Sequence, residues 1–238
     1  MKVIITSNKK TSGTSSKGTI RLRERITGNY KLLDFEMTDN IYNVTENNNK
    51  MYVNVNEATD HILTLTKGFY TASQLTTEVK TQLDTIPSHT FTATHSSKTG
   101  KMTIQISGSN TFGFTFGTNT ANSARKLLGF NEADNTTLAT QTSPNAIDLN
   151  PYKVIYINFE EDSYQHIVGG HENGFTASLA ISGESSFGGV LRYSPEDSGK
   201  QVLSFTKSPL ILSYRFIDEN DNAVNLNGSD WIMTLGEC

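Results

Sequence analysis

The chain has 238 residues and a mass of 26.2 kDa, enough for one large all-β domain or two small ones around a proper core. Hydrophobic residues (35%) and charged residues (18%) are both sparse, and Thr (31), Ser (23) and Asn (22) fill the gap. That is a composition of strands and turns, against a helical bundle, a coiled coil or an α/β enzyme with Ala/Leu-rich helices. The net charge is −4, no run of eighteen apolar residues offers a membrane span, and the sole cysteine, Cys238, excludes an intramolecular disulfide and a cysteine-based metal site.

The net charge conceals an asymmetry at the start of the chain. Residues 1–25 hold Lys2, Lys9, Lys10, Lys17, Arg21, Arg23 and Arg25 against Glu24 alone, a balance of +6 that leaves −10 on the other 213 residues. Met1 to Lys10 lacks the apolar core of a secretory signal. Thr11 to Thr19 is rich in Ser, Thr and Gly, and apolar residues are few after Ile5, so 1–25 reads as a flexible basic arm preceding a domain over 26–238. Lys9, Lys10, Lys17, Arg21, Arg23 and Arg25 are its candidate contacts with acidic neighbours or nucleic acid; a solvated tail is the competing reading. The arm has no aromatic residue on which bases could stack, which argues against nucleic-acid binding as the main activity.

Ile41–Thr45 and Met51–Val55 read as two strands joined by the turn Asn47-Asn48-Asn49, and His61–Thr66 as a third, broken by Lys67-Gly68. Thr71 to Leu83 is the best helix: Thr71 or Ser73 can cap it, and Leu75, Val79 and Leu83 recur every four residues. Thr90–Thr94 and Met102–Ile106 are strands linked by a turn at Ser96–Gly100. Phe112, Phe114 and Phe116 alternate, which gives a strand an aromatic core face, with a ligand groove as the lesser alternative. Ala121 to Leu128 reads as a short helix stopped at Gly129, and 131–150 as a polar loop. Strands follow at Val154–Phe159, Thr176–Ser182, Gly189–Tyr193, Val202–Phe205, Leu210–Ile217 and Trp231–Leu235. About ten strands against two helices predict a mainly β sandwich or barrel with a small α+β module at about 61–130.

Chemistry-bearing patterns are weak. His166 and His171, near Glu160-Glu161-Asp162 and Glu172, are split by Gly169-Gly170 without a helical scaffold, and read as a surface loop rather than a metal site. Asp218, Asn220 and Asp221 lack the rest of a calcium loop and read as a hairpin turn. There is no phosphate loop and no nucleophile elbow, and a nucleophile at Cys238 would have nothing after it to hold it. Catalytic, cofactor and metal residues are therefore assigned to none, and the protein is expected not to be an enzyme.

Three segments carry a resemblance. They are Leu65-Thr66-Lys67-Gly68-Phe69-Tyr70-Thr71-Ala72-Ser73-Gln74-Leu75, then Ser123-Ala124-Arg125-Lys126-Leu127-Leu128-Gly129-Phe130, and then Ile211 to Leu235 with its acidic turn and Leu226-Asn227-Gly228-Ser229-Asp230-Trp231. Together, over about 60–130 and 205–238, they resemble penton-type minor capsid proteins of virophages and Polinton-like viruses. The resemblance implies a jelly-roll β-sandwich forming homo-pentamers at icosahedral fivefold vertices, among trimers of a larger major capsid protein. It implies a virion location, with assembly inside the host cell, in the cytoplasm, and it brings no catalytic or cofactor residues. In such a ring the +6 arm of one subunit would meet the −10 body of another, disordered when free and ordered in the shell; packaged DNA is the arm's alternative partner. The residues alone leave open a glycan- or receptor-binding β-sandwich, and a β-sandwich hydrolase is disfavoured for want of a constellation.

Overall fold

The computed structural model describes residues 1–57, 59–150, 152, 155–160, 163–165, 175–179, 188–193, 202–205, 209–218 and 222–238. Two compact units result, Met1–Ile41 with Tyr152–Cys238, and Tyr42–Pro151, which interrupts the first in sequence. The first unit opens with β1 (Lys2–Thr6), a 3-10 turn at Ser7–Lys9, β2 (Lys10–Gly13), β3 (Lys17–Arg21) and β4 (Gly28–Thr38). The second holds β5 (Lys50–Val55), β6 (Thr59–Thr64), α1 (Ala72–Leu83), β7 (Phe91–His95), β8 (Met102–Ile106), β9 (Phe112–Phe114) and β10 (Thr140–Thr142). The chain then returns to the first unit as β11 (Ile155–Glu160), β12 (Ser163–Gln165), β13 (Phe175–Leu179), β14 (Val190–Tyr193), β15 (Val202–Phe205), β16 (Ile211–Ile217) and β17 (Trp231–Glu237).

The first unit is a jelly roll. Its eight principal strands are β1, β3, β4, β11, β13, β15, β16 and β17, and they pair as nested antiparallel hairpins. First meets last (β1 with β17), second meets seventh (β3 with β16), third meets sixth (β4 with β15) and fourth meets fifth (β11 with β13). Two further pairings, β17 with β4 and β16 with β11, join these hairpins into two sheets. This is the double-sheet, two-Greek-key solution to closing an antiparallel β fold. Short strands finish the edges: β2 extends β3, β12 extends β15, and β14 shares one side of β4 with β15.

Trp231 is the centre of this core. It stacks on Phe35 of its own sheet (centroids 6.0 Å apart) and meets Tyr214 and Phe216 of the other sheet edge-on at 4.9 and 5.5 Å. A buried indole N–H needs a partner. Here it donates to the Ser15 carbonyl at 2.9 Å, while the Trp231 backbone N–H donates to Ser7 Oγ, which donates in turn to Asp230. Ile5, Ile20, Leu22 and Ile26 join the same core. The flexible arm expected over 1–25 is therefore corrected: the segment supplies three strands, Ile5, Ile20 and Leu22 point inward, and Ser7, Ser15 and Ser16 satisfy core polar groups.

The second unit has its own core. The helix is as expected, with Thr71 as N-cap and a capping box closed by Gln74, and it buries Leu75, Val79 and Leu83. Phe112, Phe114 and Phe116 are all buried, with Phe114 and Phe116 stacked at 4.8 Å and Phe130 against both. Gly113 between them is required, because a Cβ there would lie 2.6 Å from the Asn135 carbonyl oxygen.

Three other expectations are corrected here. Ala121–Leu128 is a run of turns rather than a second helix, so α1 is the sole α-helix among the described residues. A segment that short nucleates poorly, and the Ala124 N–H is drawn to the Lys50 carbonyl instead of an intrahelical one. Ile41–Thr45 is no strand: only Val44 bridges Gly68, and β5 pairs with β6 and β9 instead. The polar stretch 131–150 contains β10, which pairs with β8. The expected module at 61–130 lies inside a wider unit whose bounds are 42 and 151.

Two outcomes follow. Trp231→Ala should cost about 3–5 kcal/mol, read by urea unfolding followed by far-UV circular dichroism, since it removes the only tryptophan. Deleting residues 1–25 should abolish cooperative unfolding of the first unit rather than leave it intact; a truncated chain with an unchanged melting curve would refute the strand assignment.

Candidate functional surface

The basic residues singled out by sequence sit on a rigid scaffold. β3 is paired on both sides, by β2 and β16. Ile20 faces the core, so Lys17, Thr19 and Arg21 take the outer face, with Lys17 and Arg21 about 14 Å apart along the strand. Arg23 and Arg25 stand exposed on a short loop, closed where the Leu22 and Ile26 N–H groups donate to the Leu210 and Pro209 carbonyls. Lys10 is opposite Ile20 and its ammonium reaches the Ser7 carbonyl, which leaves exposed Lys9 at the Arg21 end of the hairpin. Among the described residues none of Lys9, Lys10, Lys17, Arg21 and Arg23 forms an ion pair. Hydroxyls line the same face: Thr19 bonds Thr11 and Ser12, and Ser213 lies opposite Thr19. Arg215 is opposite Lys17.

The β2–β3 turn is pinned from below. The Tyr214 hydroxyl donates to the Thr14 carbonyl at 2.7 Å, the Phe216 N–H to the Ser16 carbonyl, and the Leu226 N–H to Ser16 Oγ. Gly18 allows this close approach, since a Cβ there would lie 2.5 Å from the Ser12 carbonyl oxygen and 3.0 Å from the Tyr214 hydroxyl. Burial, with the Asp230 charge added, pushes the Tyr214 phenol up to about 12.

The outer face of the other sheet has a different character. Sequence reading missed β4, and with it the pairing of Arg192 with Asp34 (3.3 Å) and Glu36 (3.1 Å) across β14 and β4. Ile4, Val190 and Ile232 share that face and are 61%, 67% and 40% exposed.

Other sequence candidates do not converge. His61, His89 and His95 lie at separate points of the second unit, and His89 Nδ1 is 2.7 Å from the Pro87 carbonyl oxygen. Among the described residues no three His, Cys, Asp or Glu groups assemble into a metal site, and no helix is long and apolar enough to cross a membrane. Glu160 closes β11, while Glu161, Asp162, His166, His171 and Glu172 lie outside the described residues, as do Asn220 and Asp221. Asp218 accepts from the backbone and side-chain amides of Asn222.

Comparison with solved structures gives a likeness of fold. A crystal structure of selenomethionine-labelled mavirus penton protein superposes with a TM-score of 0.52 and 12% identity, over 99% of this chain and 97% of that one. At that identity the likeness is one of fold, and the fold is that of a capsid penton protein. No family model matches, and no curated protein matches.

The pinned turn yields a pH test. The raised Tyr214 value means that the native state favours the neutral phenol, so its contribution is whole below the ordinary tyrosine range of about 10 and is lost as the pH climbs toward about 12. Tyr214→Phe should lose about 1 kcal/mol at neutral pH, and its deficit against the parent should shrink in alkali. Urea midpoints at neutral and alkaline pH measure this.

Proposed function

We propose that this protein is a structural virion protein of the virophage and Polinton-like penton type. It is a minor capsid subunit that forms homo-pentamers at icosahedral fivefold vertices, contacts a major capsid protein and transforms no substrate. One observation carries the reading: a jelly roll with one inserted unit matches the mavirus penton protein over nearly the full length of both chains. A ring of five uses heterologous contacts, so one flank of a subunit must fit the opposite flank of the next. Ile4, Val190 and Ile232 on an outer sheet face are apolar area of the kind a subunit covers when it meets a second copy.

Native mass spectrometry and negative-stain microscopy of the purified chain, alone and with the major capsid protein of the same particle, test the proposal. Fivefold rings are expected, and Val190→Asp should deplete them while leaving the melting temperature within error. A chain that stays monomeric in the presence of its shell partner overturns the reading.

A further inference from the structure

The cationic face of β3 and its following loop is held in a fixed geometry by the neighbouring strands and backbone hydrogen bonds. Lys17 and Arg21 project from one face of a strand held on both edges, Arg23 and Arg25 follow on a loop anchored at both ends, and Lys9 stands at the same end of the hairpin. Glu24 is the one acidic residue in 1–25. Between the cations lie the hydroxyls of Thr11, Ser12, Thr19 and Ser213, which can donate to anionic oxygens. Same-face positions on a strand recur about every 7 Å, a step a phosphodiester backbone can follow. The face offers Arg more than Lys, and guanidinium is the group that meets phosphate with two parallel bonds. Residues 1–25 hold no aromatic group on which a base could stack, so the chemistry is that of backbone recognition without sequence preference.

We propose that this face binds the phosphate backbone of nucleic acid, the polyanion a capsid encloses; the choice of polyanion rests on the capsid reading above. The cations are preorganised by the sheet, so binding does not order a disordered arm.

The test uses the full chain with labelled mixed-sequence single-stranded and duplex DNA, read by fluorescence anisotropy. If Lys9, Lys17, Arg21 and Arg23 each neutralise one phosphate, log K against log salt falls with a slope of about −3 on single strands and about −4 on duplex. That is about a 60-fold loss on single strands between about 50 and about 200 mM salt. Lys17→Gln with Arg21→Gln should flatten the slope by about 1.4–2 at an unchanged melting temperature, whereas Lys98→Gln, an exposed cation of the second unit, should leave it unchanged. Arg23→Gln alone, off the strand, supplies a second variant with a smaller decrement. No binding at low salt overturns the inference, as does a slope the variants do not move, or a sulfated glycan that binds where DNA does not. Pentamers counted by native mass spectrometry in the same samples separate the two proposals. Rings without DNA binding sink this one and spare the vertex reading, and loss of rings in Lys17→Gln/Arg21→Gln makes the face a subunit contact and sinks it too.

Discussion

The first unit depends on joining the two ends of the chain. Its outermost hairpin pairs β1 with β17, with Ile4 opposite Thr234, and every other principal pairing nests inside it. Trp231 holds that closure together. Its ring bridges the two sheets, its indole N–H ends on Ser15, and its backbone ends on Ser7. The N-terminal segment thus supplies both an edge strand and the acceptors without which a buried indole would be left unsatisfied. Removing either partner leaves the other in an apolar interior with an unmet polar group, which is why the segment behaves as core despite its polar composition.

Such nesting is costly in order rather than in contacts. Pairs that span most of the chain must close long loops before they are rewarded, and folds of this kind fold slowly. Loop closure grows only with the logarithm of length, however, so an insertion between the third and fourth strands adds little to that cost. The 42–151 unit occupies this position with a separate core built on α1 and the Phe112–Phe116 run. An insert with its own apolar core adds its stability independently of the sandwich strands it follows and precedes in sequence.

How much of this was legible depended on whether one period governed a segment. The helix was readable because its cap and its four-residue spacing agree, and the Phe112, Phe114, Phe116 alternation pointed correctly to core. β4, the strand on which one sheet is built, went unread because its apolar residues fall at Tyr30 and Leu32 and then at Phe35 and Met37. Leu33 is an extra residue at a bulge opposite the Thr234/Leu235 step, and it shifts the alternation by one. The basic residues were identified by charge, but their scaffold was not. Ile20, Leu22 and Ile26 at even positions, against Lys17, Arg21, Arg23 and Arg25 at odd ones, were the available sign of a half-buried strand, outweighed by the Ser, Thr and Gly around them. The Asp34, Glu36 and Arg192 grouping was beyond sequence reading, since it joins residues about 160 positions apart through a register set by the bulged strand.

The difference between an arm and a strand changes what the charges can do. A disordered basic arm gives up backbone freedom on binding, about 1–2 kcal/mol for each residue it fixes, and that loss offsets much of what charge pairing contributes. Cations on β3 have already met that cost in folding, because the neighbouring strands and the buried Ile20 and Tyr214 hold the backbone in place. A polyanion of the kind proposed above would meet a fixed array whose spacing selects by geometry, whereas an arm would adapt to any polyanion. Polar composition in such a segment marks hydrogen-bonded strand edges as readily as it marks disorder, and the two are separated by where the few apolar residues fall.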